Sequence, residues 1–205
     1  MTAESNVGDG LDGAVEALRA GAVVGIPTDT VYGLAADAGR GAATDAVFVL
    51  KRRPPNLELP VLVADVAQAE DLAAGGLPDL GRLLVGHFWP GPLTIVVERR
   101  GDLDWAIGGD GRTIGLRCPA HAVARTLCRR VGPLATTSAN RHGEPPLTTA
   151  ADVTREFGGA VAVVVDGGVC DGTSSTVVDV TGGTVRCIRD GAVPWAEVLA
   201  VAAPG

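Results

Sequence analysis

Short runs of consecutive apolar residues alternate with amphipathic stretches along most of the chain. Ala22–Ile26 (AVVGI), Leu59–Ala64 (LPVLVA) and Ala160–Asp166 (AVAVVVD) are too short for helices and lack polar alternation. They predict strands buried on both faces. Between them lie stretches with helical spacing and helix punctuation. Asp12 is placed to cap a helix over Gly13–Ala20 that stops at Gly21. Ala42–Arg53 reads as a helix halted by Pro54 and Pro55. Further helices are predicted over Val66–Ala74, Pro78–Phe88 and His121–Gly132. Thr149 with Asp152 forms a capping box for Ala150–Gly158, and Pro194 opens a last helix through Ala203. Trp89–Arg99, Thr113–Pro119 and Pro133–Asn140 each contain a strand beside a turn or polar loop, and Ser174–Gly191 reads as a hairpin across Gly182 and Gly183. Strands alternating with helices imply a layered α/β domain, and the hairpin makes its sheet mixed. The polar residues 1–11 are expected to be loosely ordered, with one domain over 12–205.

Composition narrows the class. A chain of 205 residues that is 46% hydrophobic suits a single sizeable core. Aromatic residues make up 3%, so Val, Leu, Ala and Ile must build that core. The formal charge of −7 argues against a general nucleic-acid binder but leaves room for a small basic pocket. Cys118, Cys128, Cys170 and Cys187 form no CxxC, and His87, His121 and His142 show no metal-ligand spacing. They read as buried free thiols rather than a zinc site or disulfide framework. The first residues lack a signal-peptide pattern, and no run approaches the roughly 18 apolar residues of a membrane span. A soluble cytoplasmic protein is the expectation. Lys51 is the only lysine among 17 basic residues, which invites a chemical reason for it.

Polar residues collect at predicted element ends: PTDT at Thr28, KRRP at Lys51–Pro54, TTSAN at Thr136–Asn140 and SSTVVD at Ser174–Asp179, with Arg117 closing a further strand. In open α/β folds ligands bind at strand ends. A set with Lys, Arg, hydroxyls and Asn is rich in donors and suits phosphates and carboxylates. The chain holds no GxxxxGK[ST], no GxGxxG after a first strand and no GxSxG, so Ser138 with His142 makes no convincing hydrolase pair.

The ordered set PTDTVYGL (Pro27–Leu34), K-x-R-P (Lys51, Arg53, Pro54), WPGPLT (Trp89–Thr94), R-x-P (Arg117, Pro119), SAN (Ser138–Asn140) and STVVD (Ser175–Asp179) resembles the YrdC-like family over roughly residues 12 to 195. The resemblance implies a single-domain twisted mixed sheet with flanking helices around a wide basic cavity. It implies a nucleotidyltransferase that joins L-threonine, bicarbonate or CO2, and ATP into threonylcarbamoyl-AMP and pyrophosphate. A threonylcarbamoyl transferase machinery would then act on tRNA, and Mg²⁺ would accompany ATP. The family's catalytic set falls on Lys51, Arg53, Ser138 and Asn140. Those four and Arg189 are implied to bind ATP, with Lys51 as an exposed cavity cation. Thr28, Arg117 and Ser175 are implied to bind threonine, with Tyr32 a further contact. Trp89 is expected as scaffold; Arg52, Arg99, Arg100, Arg129 and Arg130 are expected on solvated faces, with direct RNA contact as the minority reading. The segment after KRRP, PNLELPVLVAD, departs from the family pattern: Val63 and Ala64 occupy the region where relatives carry a histidine near threonine. Two alternatives stay open: a divergent member handling another carbamoyl-adenylate, and a non-catalytic nucleotide- or RNA-binding module.

Overall fold

The computed structural model describes residues 3–141 and 143–203. Its first half contains α1 (Ala3–Arg19), β1 (Val24–Ile26), β2 (Gly33–Asp37), α2 (Gly41–Lys51), β3 (Val61–Leu62), α3 (Val66–Glu70), α4 (Asp79–Phe88) and β4 (Leu93–Glu98). The second half contains β5 (Thr113–Arg117), α5 (Ala122–Val131), β6 (Leu134–Ser138), α6 (Ala150–Phe157), β7 (Val163–Val164), β8 (Thr176–Asp179), β9 (Arg186–Arg189) and α7 (Trp195–Ala202). The strands form one mixed sheet in the order β7-β1-β2-β6-β3-β5-β4-β8-β9.

Side-chain alternation along the central strands divides the apolar residues between two cores. Leu34 and Ala36 of β2 join one cluster and Ala35 the other; Val61 and Leu62 of β3 divide likewise. The first core packs Val47 of α2, Leu84 of α4, Phe157 of α6 and Val198 of α7 under the sheet. The second packs Val15 and Leu18 of α1 against Leu127 and Cys128 of α5. The doubly covered sheet expected from the continuous apolar runs is therefore present over β7, β1, β2 and β3.

Several boundaries differ from the sequence reading. α1 already runs from Ala3, through the residues expected to be loosely ordered. Asp12 lies inside that helix, and its carboxylate accepts from Arg130 Nη1 at 2.5 Å instead of capping. The runs Leu59–Ala64 and Ala160–Asp166 shrink to two paired residues each, Val61–Leu62 and Val163–Val164. α2 stops at Lys51, before the prolines, when Arg52 turns left-handed at φ 53°. Arg52 N then donates to Val49 O and Arg53 N to Phe48 O, the paired bonds of a Schellman end. Of the expected capping box the forward half is present: Thr149 Oγ1 accepts from Asp152 N at 3.2 Å, while the Asp152 carboxylate accepts from the Thr149 hydroxyl rather than from its backbone N–H. No helix among the described residues is long and apolar enough to cross a membrane. All four cysteines are free, with Cys118, Cys128 and Cys170 buried as expected and Cys187 exposed on the edge strand β9.

Candidate active site

Strand register gathers the polar residues onto one sheet face. Leu62 of β3 stands beside Arg117 of β5 and Leu134 of β6, and Ser138 of β6 stands beside Gly33 of β2. With a period of two, Thr136 and Ser138 share the face of Leu134, and Arg117 that of Leu62. α1 and α5 cover this face over β7, β1, β2 and β3. Beyond them it is left open, and Thr94, Arg117, Thr136, Ser138, Ser175 and Arg189 border a cavity of about 130 Å³. That is below the roughly 300–1,000 Å³ common for small-molecule pockets, so a nucleotide would extend past the enclosed part. Gly33 forms part of the floor: a Cβ there would stand 2.8 Å from Thr136 Cγ2. A shallower hollow of about 670 Å³ lies across the 53–58 loop, walled by Phe48, Pro55 and Trp105. It shares only Arg53 with the cavity and with the expected site.

Of the residues expected from the family resemblance, Thr28, Tyr32, Arg53, Arg117, Ser138, Ser175 and Arg189 line the cavity. Lys51 and Asn140 sit behind Ser138. The Lys51 ammonium donates to Ser138 O (2.9 Å), Ser138 Oγ (3.1 Å), Asn140 O (3.2 Å) and Asn140 Oδ1 (2.7 Å). Asn140 Nδ2 donates onward to Arg141 O and Glu144 O. Lys51 is 3% exposed, so the expected exposed cation is a buried hub that ties the end of β6 to α2. Burial, with repulsion from Arg53 second, lowers its pKa to about 8. Its bond to Ser138 Oγ occupies an acceptor lone pair and leaves the hydroxyl hydrogen free to point into the cavity.

Arg53 follows the left-handed Arg52 and is held by its own loop, donating to Leu57 O at 3.0 Å and Glu58 O at 2.8 Å. Arg189 donates twice to Ser175 O and once to Ser175 Oγ, which also shares a hydrogen bond with Thr94 Oγ1 at 3.0 Å. Burial lowers the pKa of both guanidiniums, with repulsion by Arg189 second for Arg53 and by Arg117 second for Arg189. Gly191 makes the Arg189 contact possible, because a Cβ there would come within 2.6 Å of Ser175 C.

The PTDT segment divides its work differently from the expectation. Thr28 Oγ1 donates to Val31 O at 2.6 Å and accepts from Thr30 N and Val31 N. Thr28 thus builds the turn, and its hydroxyl borders the cavity with its hydrogen already used. The next residues hold Arg117: Nη2 donates to Asp29 Oδ1 (2.7 Å), Nη1 to Thr30 Oγ1 (2.9 Å) and Nε to Gly91 O (3.1 Å). Three of the five guanidinium N–H groups are used in this way, which leaves two for a carboxylate. The Tyr32 hydroxyl accepts from Gly167 N and donates to Gly168 O, so it anchors that loop, while Tyr32 itself borders the cavity. Trp89 Nε1 donates to Leu93 O, as expected of scaffold.

Sequence reasoning missed Asp29, Thr30, Pro60, Leu62 and Thr94. The signal for Asp29 and Thr30 was present inside PTDT but went to Thr28. The cavity wall near β3 is Pro60 and Leu62, whereas Val63 and Ala64 are buried in the cores. His142 lies outside the described residues.

Comparisons with known proteins place the chain in a family. The Sua5/YciO/YrdC family model, described as "Telomere recombination", matches residues 16–191. This chain belongs to that family. A Mycobacterium tuberculosis relative is 42% identical over 196 residues, covering 94% of this chain and 90% of its own. The threonylcarbamoyl-AMP synthase of Bacillus subtilis is 36% identical over 194 residues, which cover 93% of this chain and 56% of the relative. The structure of Pyrococcus abyssi Sua5 complexed with L-threonine is similar at a TM-score of 0.88 and 36% identity, over 93% of this chain and 56% of that one. The chain therefore spans little more than half the length of these last two. Escherichia coli YciO, 22% identical at a TM-score of 0.82, shares the fold.

Proposed function

We propose that this chain is a threonylcarbamoyl-AMP synthase, using L-threonine, bicarbonate or CO2, and ATP to supply threonylcarbamoyladenosine modification of tRNA. The observation that carries the reading is the clustering of Arg53, Arg117 and Arg189 with Ser138 and Ser175 around one cavity, in a chain similar to proteins of that name. The threonine amine would add to CO2, losing a proton to form a carbamate. A carbamate oxygen would then attack the α-phosphorus, and the bond from that phosphorus to the bridging oxygen would break, releasing pyrophosphate. Arg53 and Arg189 suit the phosphates and the charge that grows on the leaving pyrophosphate. The two unused N–H groups of Arg117 suit the threonine carboxylate. Ser138, supported from behind by Lys51 and Asn140, supplies a directed hydroxyl donor. Catalysis of this kind rests on positioning and electrostatics and needs no covalent enzyme intermediate. Mg²⁺ would arrive on the ATP phosphates, since the donor set facing the cavity is cationic and hydroxylic.

The test is pyrophosphate release from ATP, Mg²⁺ and bicarbonate with each of the twenty amino acids in turn. Release stimulated by threonine alone supports the reading. Release stimulated by another amino acid redirects it to a different carbamoyl-adenylate, and ATP binding with no stimulated release removes the enzymatic reading.

A further inference from the structure

The three arginines around the cavity are not paired alike. Among the described residues, Arg53 and Arg189 donate only to neutral oxygens, those of Leu57, Glu58 and Ser175. Arg117 instead meets the Asp29 carboxylate at 2.7 Å, in a pair whose side chains are 7% and 16% exposed. Asp29 Oδ1 also accepts from Ala120 N at 3.0 Å, which fixes the carboxylate against the start of α5. Asp29 Oδ2 is buried with no hydrogen-bond partner among the described residues, so the carboxylate is spent on Arg117 and little else. The cavity therefore has two electrostatic ends. At one, two guanidiniums stand unopposed; at the other, a guanidinium keeps two directional donors but has its charge cancelled at contact distance.

These ends suit different ligands. A polyphosphate follows net positive charge, and a cancelled guanidinium offers it little. A zwitterionic amino acid carries no net charge and gains mainly from the directed, two-pronged hydrogen bonds that Arg117 still provides. We infer that Asp29 is a specificity-determining residue: by neutralising Arg117 it reserves that end of the cavity for an amino-acid carboxylate and directs phosphate to the Arg53–Arg189 end. Asp29 acts through Arg117 and touches no reacting atom, so its role is positioning and charge sorting. The identity of the amino acid rests on the function proposed above, whereas the sorting itself does not.

Asp29→Asn is the decisive variant, because its side-chain oxygen can still accept from Arg117 and Ala120 while the charge is gone. With inorganic phosphate present, the apparent KM for threonine should rise roughly tenfold in this variant, and without phosphate neither KM should change more than about twofold. Inorganic phosphate, which should compete only with ATP in the unaltered protein, should compete with threonine as well. Asp29→Glu should restore the original pattern. A purely structural role would instead raise both KM values together and leave the phosphate pattern unchanged, and that result would overturn the inference. A calorimetric titration with tripolyphosphate needs no turnover and separates the two proposals. One site in the unaltered chain and two in Asp29→Asn would support the sorting even if threonine stimulates no pyrophosphate release. A single site in both would end it whatever the activity. Should Asp29→Asn fail to fold, Arg53→Gln is the complementary probe. It should lose tripolyphosphate binding, and binding at unaltered affinity would show that phosphate does not depend on that end.

Discussion

Replacing Lys51 with methionine removes the donor to Ser138 O and Asn140 Oδ1, two of its four acceptors, in a place water scarcely reaches. Each buried acceptor left unpaired costs about 1–3 kcal/mol, partly offset because a buried charge is also removed. Lys51→Met should therefore lower unfolding stability by about 2 kcal/mol in urea titrations. A lysine exposed in a cavity would be replaceable at almost no cost, so this measurement separates the hub from the cation first expected. Ser138→Ala removes a hydroxyl from the cavity wall and should leave stability within about 1 kcal/mol. It should slow pyrophosphate release roughly 100- to 1,000-fold, as loss of a directed donor does. Lys51 also sets a pH dependence. It titrates at about 8 in the fold, against an ordinary value of 10.5, so the folded chain binds fewer protons between those values. Stability then rises with pH across that window. The difference between the unaltered protein and Lys51→Met should shift in favour of the former from pH 8 to pH 10. A flat difference would mean that Lys51 titrates normally. The uniqueness of this lysine drew attention to it in the sequence, but burial was not legible there: its acceptors lie 87 and 89 residues away.

Among the elements, the end of α2 shows how a helix stop aims a functional side chain. Arg52 adopts φ 53°, a conformation that costs a residue with a Cβ about 1–2 kcal/mol and glycine almost nothing. Arg52→Gly should raise stability by up to about 1 kcal/mol with the position of Arg53 preserved, read as a higher urea midpoint at unchanged activity. Helix ends marked by local chemistry, such as Thr149 for α6 and Gly132 for α5, were readable because cap and punctuation lie within a few residues. β2 was not. Its text, GLAAD, has poor strand propensity and becomes a strand only because β1 and β6 flank it on both sides. The face on which the cavity lies was likewise hidden, since it depends on register between strands far apart in sequence. Only the alternation of Thr136 and Ser138 along β6 hinted at it. The PTDT turn illustrates the same limit. Its unusual polarity marked a site, yet which of its residues reach inward was decided by Arg117, which closes a strand 87 residues downstream of Thr30.

At the scale of the whole molecule, a formal charge of −7 surrounds a cavity lined by three arginines. ATP is a polyanion, so the overall field repels it while the cavity attracts it. Salt acts unequally on these effects. The Debye length is about 10 Å at 0.1 M, comparable to the distance over which the surface carboxylates act, and half-buried contacts are screened far less. Much of the surface arginine charge is already spoken for: Arg100 pairs with Asp102 and Arg130 with Asp12. Raising salt from about 10 to about 100 mM should therefore remove long-range repulsion more than local attraction. The KM for ATP should stay level or fall slightly over that range, as measured by pyrophosphate release. A chain that bound RNA through its surface arginines would behave oppositely, with affinity falling steeply as several phosphate contacts were screened. A steep rise in the ATP KM with salt would mean that exposed arginines, rather than Arg53 and Arg189 in the cavity, carry the nucleotide.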